Sequence, residues 1–98
     1  MKIRYYILQA SLLCSFSLLH TTSVLIKNAT NQDLVIGSAL YGNTLEKNLV
    51  RNFSIDPMAR NITIEDSNRT IKGTSIPVID GSFYKITSDG TKLTSTRI

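Results

Sequence analysis

Beyond residue 23 this chain of 98 residues alternates apolar and polar side chains in short bursts, each closed by Gly, Pro, Asn, Asp or Ser. A period of two, rich in Val, Ile, Leu, Thr, Tyr and Phe, marks half-buried strands. The first burst covers 24–27 and ends at the polar turn 28–32. The second covers 33–41 and sets Leu34, Ile36 and Leu40 on one face; Gly37 within it predicts a bulge or the close approach of another backbone. The cleanest alternation is 61–65, with Ile62 and Ile64 inward and Asn61, Thr63 and Glu65 outward. Residues 69–72 predict a further short strand, broken by 73–75.

Residues 44–55 fit two periods. A helix around 44–52 would stack Leu45, Leu49 and Phe53 one turn apart, behind an Asn43 and Glu46 pair that resembles a capping box. A strand sets Leu49, Arg51, Phe53 and Ile55 on one face. A helix this short depends on packing, and the preferred reading is a strand over 49–55 with a helical turn before it. Further on, 84–88 and 91–95 flank Asp89-Gly90, which predicts a two-residue type I′ hairpin with Ser88 against Thr91, Ile86 against Leu93 and Lys85 against Thr94. A second hairpin is expected between 76–79 and 83–86 around Asp80-Gly81-Ser82, with Val78 against Tyr84 and Ile76 against Ile86. Pro77 then stands outside the hydrogen-bonded ladder or on an edge. The expectation is one all-β domain over 24–98, a small antiparallel sandwich or partly closed barrel of about seven short strands.

The first 23 residues break this pattern. Lys2 and Arg4 precede an apolar stretch over 5–19, and Thr21, Thr22 and Ser23 follow it. That is the layout of a secretory signal, with Thr21 and Ser23 at the small-residue positions of a cleavage site and Ser15 with Ser17 as a second choice. The stretch is shorter than the roughly 20 residues of a membrane-spanning helix; the rival reading is an uncleaved anchor that continues through Val24, Leu25 and Ile26. Cys14 follows the bulky Leu13 inside the apolar run, so it reads as a small hydrophobe and not as a lipid-attachment site.

Removal of the signal changes the charge picture. Without Lys2 and Arg4 the eleven basic residues become nine against seven acids, a net charge of +2, whereas the whole chain carries +4. The nine are scattered and interleaved with acids, which is not the clustered footprint of a nucleic-acid binder. The expected location is the periplasm or the extracellular medium, and the domain is left without Cys although such compartments permit disulfides. Its stability therefore rests on a small core, which a protein partner, an envelope component or self-association would reinforce.

Beyond Ser23 the sequence also lacks His, so neither a Ser-His-Asp site nor the commonest zinc ligands are available. Asp56, Asp66, Asp80 and Asp89 stand beside Pro, Gly or Ser, where aspartate forms turns. Asp80-Gly81-Ser82 and Asp89-Gly90-Thr91 lack the spaced carboxylates of a calcium loop. No catalytic, cofactor or metal residue is assigned. Four Asn-X-Ser/Thr triplets, at Asn28, Asn52, Asn61 and Asn68, match the glycosylation pattern of a eukaryotic host; chance supplies roughly two, and the preferred reading is a strand surface rich in Asn and Thr. Phe83 and Lys85 are expected to point outward together; such a pair can seed a partner-binding patch, although single exposed hydrophobes are also ordinary on a surface. These features favour a non-enzymatic exported β module that binds a macromolecular partner. The rivals are a structural subunit of a larger envelope or extracellular assembly and, more remotely, a carboxylate-based hydrolase.

Overall fold

The computed structural model describes residues 22–98, which form eight strands and no helix. They are β1 (Thr22–Asn28), β2 (Leu34–Ile36), β3 (Thr44–Leu45), β4 (Val50–Ile55), β5 (Asn61–Asp66), β6 (Thr74–Pro77), β7 (Phe83–Ser88) and β8 (Leu93–Arg97). Two four-stranded sheets result, in the orders β4-β1-β7-β8 and β3-β2-β5-β6. The all-β expectation holds, with eight strands in place of about seven. The arrangement is not wholly antiparallel: β1 runs parallel to β7, with Leu25 beside Phe83 and Lys27 beside Lys85.

Every strand sends side chains into the space between the sheets. Val24 and Ile26 come from β1, Leu34 and Ile36 from β2, Leu45 from β3, and Phe53 and Ile55 from β4. Ile62 and Ile64 from β5, Ile76 from β6, Tyr84 and Ile86 from β7, and Leu93 from β8 complete the core. Each buried aliphatic side chain contributes about 1.5–3 kcal/mol relative to exposure, and with no disulfide among the described residues this layer carries the fold. Backbone bridges Ala39–Ile55 and Lys72–Lys92 join the two sheets at opposite corners, so the sandwich is partly closed on both sides.

Several local expectations change. The preferred strand over 49–55 is present as β4, and the rival helix around 44–52 is not: Leu45 enters the core from β3 while Leu49 is half exposed, and Asn48 turns the chain at φ 64°. The second burst stops at Ile36, because Ser38 takes φ 67° and carries Ala39 to the other sheet; Leu40 is exposed and not inward. Residues 69–72 form no strand, apart from the isolated bridge of Lys72 to Lys92, and the strand expected over 76–79 begins earlier, at 74–77, within the expected break.

The hairpin between 76–79 and 83–86 does not form. β6 pairs with β5, and Asp80-Gly81-Ser82 instead carries the chain from one sheet to the other. This crossover is held by β1: the Ser23 N–H donates to Asp80 Oδ1 at 2.8 Å, Gly81 N–H to the Ser23 carbonyl at 2.8 Å, and Leu25 N–H to the Ser82 carbonyl at 2.9 Å. The β7–β8 hairpin does form, but around four residues, with Ser88 against Leu93, Ile86 against Ser95 and Lys85 against Thr96. Asp89 Oδ1 accepts from the N–H and hydroxyl of Thr91 and from the N–H of Lys92, an arrangement that needs the longer loop. The shift is by two positions, so inward residues stay inward.

The export signal read over 1–23 lies outside the described residues except for Thr22 and Ser23, which are built into β1 opposite Ile55 and Ser54. Val24 and Ile26, the residues through which the rival anchor reading would continue, are core residues of β1.

Gly37 meets its sequence expectation of close approach. A methyl group there would collide with the Thr63 hydroxyl of the adjacent strand, and the Gly37 N–H bonds the Thr63 carbonyl at 2.8 Å. Gly37→Ala is expected to destabilise the domain by about 1–3 kcal/mol, the usual cost of overpacking. Adding Thr63→Ala should restore most of that loss, which urea unfolding of the single and double variants would reveal.

Candidate functional site

The outer face of the first sheet carries the only groups that the sequence singled out for partner contact. Alternation along β7 turns Tyr84 and Ile86 into the core and leaves Phe83 and Lys85, both half-buried, on the outside. The parallel register with β1 sets Leu25 directly beside Phe83 and Lys27 directly beside Lys85. On the other flank of β1, Leu25 pairs with Asn52 and Lys27 with Val50; across β7, Lys85 pairs with Thr96. The exposed Ile98 joins the row of Phe83 through its N–H bond to the Phe83 carbonyl at 2.9 Å. The face thus holds an apolar row next to a pair of lysines, and none of these register partners is acidic. The ion pair among the described residues is elsewhere, Arg69 with Glu65 at 3.6 Å. Leu25 and Lys27 were missed by sequence reasoning, since only the parallel pairing brings them to Phe83 and Lys85.

A second concavity, a cleft of about 360 Å³, opens between the loop after β1, Thr70 and Ile71, and the β7–β8 turn. Thr30, Asn31, Gln32, Thr70 and Ser88 line it with hydroxyl and amide groups, and no charged residue does. It holds no nucleophile–base pair. Among the described residues no three His, Cys, Asp or Glu side chains converge as a metal site.

The carboxylates proposed for turns serve as turn and loop anchors. Asp66 is buried at the end of β5 and accepts from the Thr70 N–H, the Thr70 hydroxyl and the Ile71 N–H at 2.9–3.1 Å. Burial pushes its pKa up, but those hydrogen bonds outweigh it and the net shift is downward. Asp89 is held down to about 2, first by the Thr91 N–H, then by the Thr91 hydroxyl and the Lys92 N–H. A general acid near neutral pH needs the opposite shift.

The four glycosylation triplets differ in place. Asn52, Asn61 and Asn68 are exposed, and Asn52 Oδ1 accepts from the Ser23 hydroxyl at 2.6 Å. Asn28 is fully buried. Its Nδ2 donates to the Gln32 carbonyl at 2.8 Å and the Leu45 carbonyl at 3.0 Å, while Oδ1 accepts from the N–H and hydroxyl of Thr30. Both amide hydrogens are committed, so the folded domain has no place for a glycan on Asn28.

Two outcomes follow for stability. Asn28→Asp faces two carbonyl oxygens with an acceptor and should cost about 2 kcal/mol or more in chemical denaturation. The carboxylates Asp66 and Asp89 have folded pKa values below the ordinary 3.8, so their contribution is complete above that pH and is lost as pH falls toward about 2. Melting temperature should drop across that window, and Asp89→Asn, which keeps an acceptor oxygen in the turn, should flatten the drop. Comparisons with protein-family models, with curated proteins and with solved structures find no match to this chain.

Proposed function

We propose that this is an exported, non-enzymatic β module that works by binding a macromolecular partner through the outer face of its first sheet. The observation that carries the reading is the parallel register that puts Leu25 beside Phe83 and Lys27 beside Lys85. An apolar row next to two lysines without acidic neighbours fits a protein surface that offers apolar side chains and carboxylates. The sequence supports export through its basic, apolar and small-residue start. The absence of His and Cys beyond residue 20, together with the lowered pKa values of Asp66 and Asp89, supports the non-enzymatic part.

The test compares two sets of variants in the full protein, in a host where deletion gives a phenotype. Lys27→Glu with Lys85→Glu, and separately Phe83→Ser, should reduce partner capture by at least about tenfold, as loss of a central contact does, while circular dichroism stays unchanged. Asp56→Asn, Asp80→Asn and Glu46→Gln should leave both capture and phenotype intact. A single conservative carboxylate change that abolishes the phenotype while capture persists would instead identify an enzyme.

A further inference from the structure

We propose that the export signal is cut between Ser17 and Leu18, so that Thr22 and Ser23 remain in the mature protein as the first residues of β1. The proposal rests on the export reading and deepens it. It replaces the cut after Ser23, which Thr21 and Ser23 favour by sequence, with the second choice at Ser15 and Ser17.

Ser23 is fully engaged in the fold. Its N–H donates to Asp80 Oδ1 at 2.8 Å, its carbonyl accepts from the Gly81 N–H at 2.8 Å, and its hydroxyl donates to Asn52 Oδ1 at 2.6 Å. The first two bonds hold the crossover that leads from β6 into β7, and the third ties β1 to β4. Thr22 adds a register position opposite Ile55, a core residue.

A cut after Ser23 would remove all of these contacts and start the chain at a core residue. Val24 is fully buried and lies opposite Phe53. Ser23 and Leu25 turn their backbone groups toward the crossover, so alternation turns those of Val24 toward β4. The α-ammonium of a chain that begins at Val24 would therefore stand in the β1–β4 ladder, a charge where the fold has a neutral amide. A cut before Leu18 places that charge four positions ahead of Thr22 in the sequence. Both sites meet the peptidase's demand for small residues, Ser17 with Ser15 and Ser23 with Thr21. The earlier one leaves residues 5–14 as the apolar run, inside the usual length of about 7–15 residues. Sequence rules admit either cut, and the contacts of Ser23 select the earlier.

The test is intact-mass measurement and N-terminal sequencing of the protein released by an exporting host. The expected product begins at Leu18 and retains His20, the one histidine of the chain, whose imidazole resonances should appear in its NMR spectrum. Ser17→Leu should abolish that product, whereas Thr21→Leu should leave its start unchanged. The Gly81 amide, held by the Ser23 carbonyl, should exchange with solvent at least about tenfold more slowly than in the unfolded chain. A released protein that starts at Val24, or at any residue other than Leu18, overturns the proposal and leaves export standing. A full-length chain kept inside the cell overturns the export reading and the proposal with it. Unprotected exchange at Gly81 in a chain that begins at Leu18 would remove the structural reason for keeping Ser23 and would also overturn it.

Discussion

The sandwich depends on one buried amide. Asn28 closes β1, a central strand of the first sheet, yet its side chain donates to Leu45 in the second sheet and to Gln32 in the loop between them. With Oδ1 accepting from Thr30, the hydrogen-bonding capacity of the side chain is spent. A core of aliphatic residues is tolerant of sliding, since burial has no direction. A satisfied polar group inside it is not, because any displacement strands a donor or an acceptor in a dry interior. Asn28 therefore fixes how far apart and in what alignment the two sheets pack. The cleft beneath the β7–β8 turn and the outward set of β1 both inherit that alignment.

Asp66 and Asp80 do the corresponding work at the ends of the sheets. Asp66 orders the turn that leads from β5 toward β6, and Asp80 pins the crossover from β6 to β7 against the start of β1. Asp66 takes two N–H groups and Asp80 one, which is how a domain with many short strands satisfies its backbone between them.

The sequence reveals faces better than partners. Alternation correctly turned Ile62, Ile64, Tyr84 and Ile86 inward, and Pro77 stands at a sheet edge as its missing N–H requires. Period two carries no information about which strand lies alongside. Asp80-Gly81-Ser82 and Asp89-Gly90 look alike as turn signals, but the first spans the two sheets and the second closes a hairpin, a difference decided by Ser23 and Thr91 respectively. The same limit applies to the outer face: Phe83 and Lys85 were legible, whereas Leu25 and Lys27 reach them only through a parallel pairing between opposite ends of the domain. Asn28 read as a surface acceptor because a polar triplet beside a turn gives no sign of burial.

The parallel pairing of β1 with β7 also governs when the chain can fold. β1 is among the first described segments to be made and β7 among the last, and the bond from Ser23 to Asp80 spans 57 positions. Until β7 and β8 have been synthesised, the first sheet consists of β1 and β4 alone, with Val24, Ile26 and Phe53 lacking most of one neighbouring wall. Contacts this distant in sequence pay their loop-closure entropy before they return any stabilisation, which slows folding. The second sheet, whose four strands lie within 34–77, needs no such wait, so the two layers differ in how much of the chain each requires before it is complete.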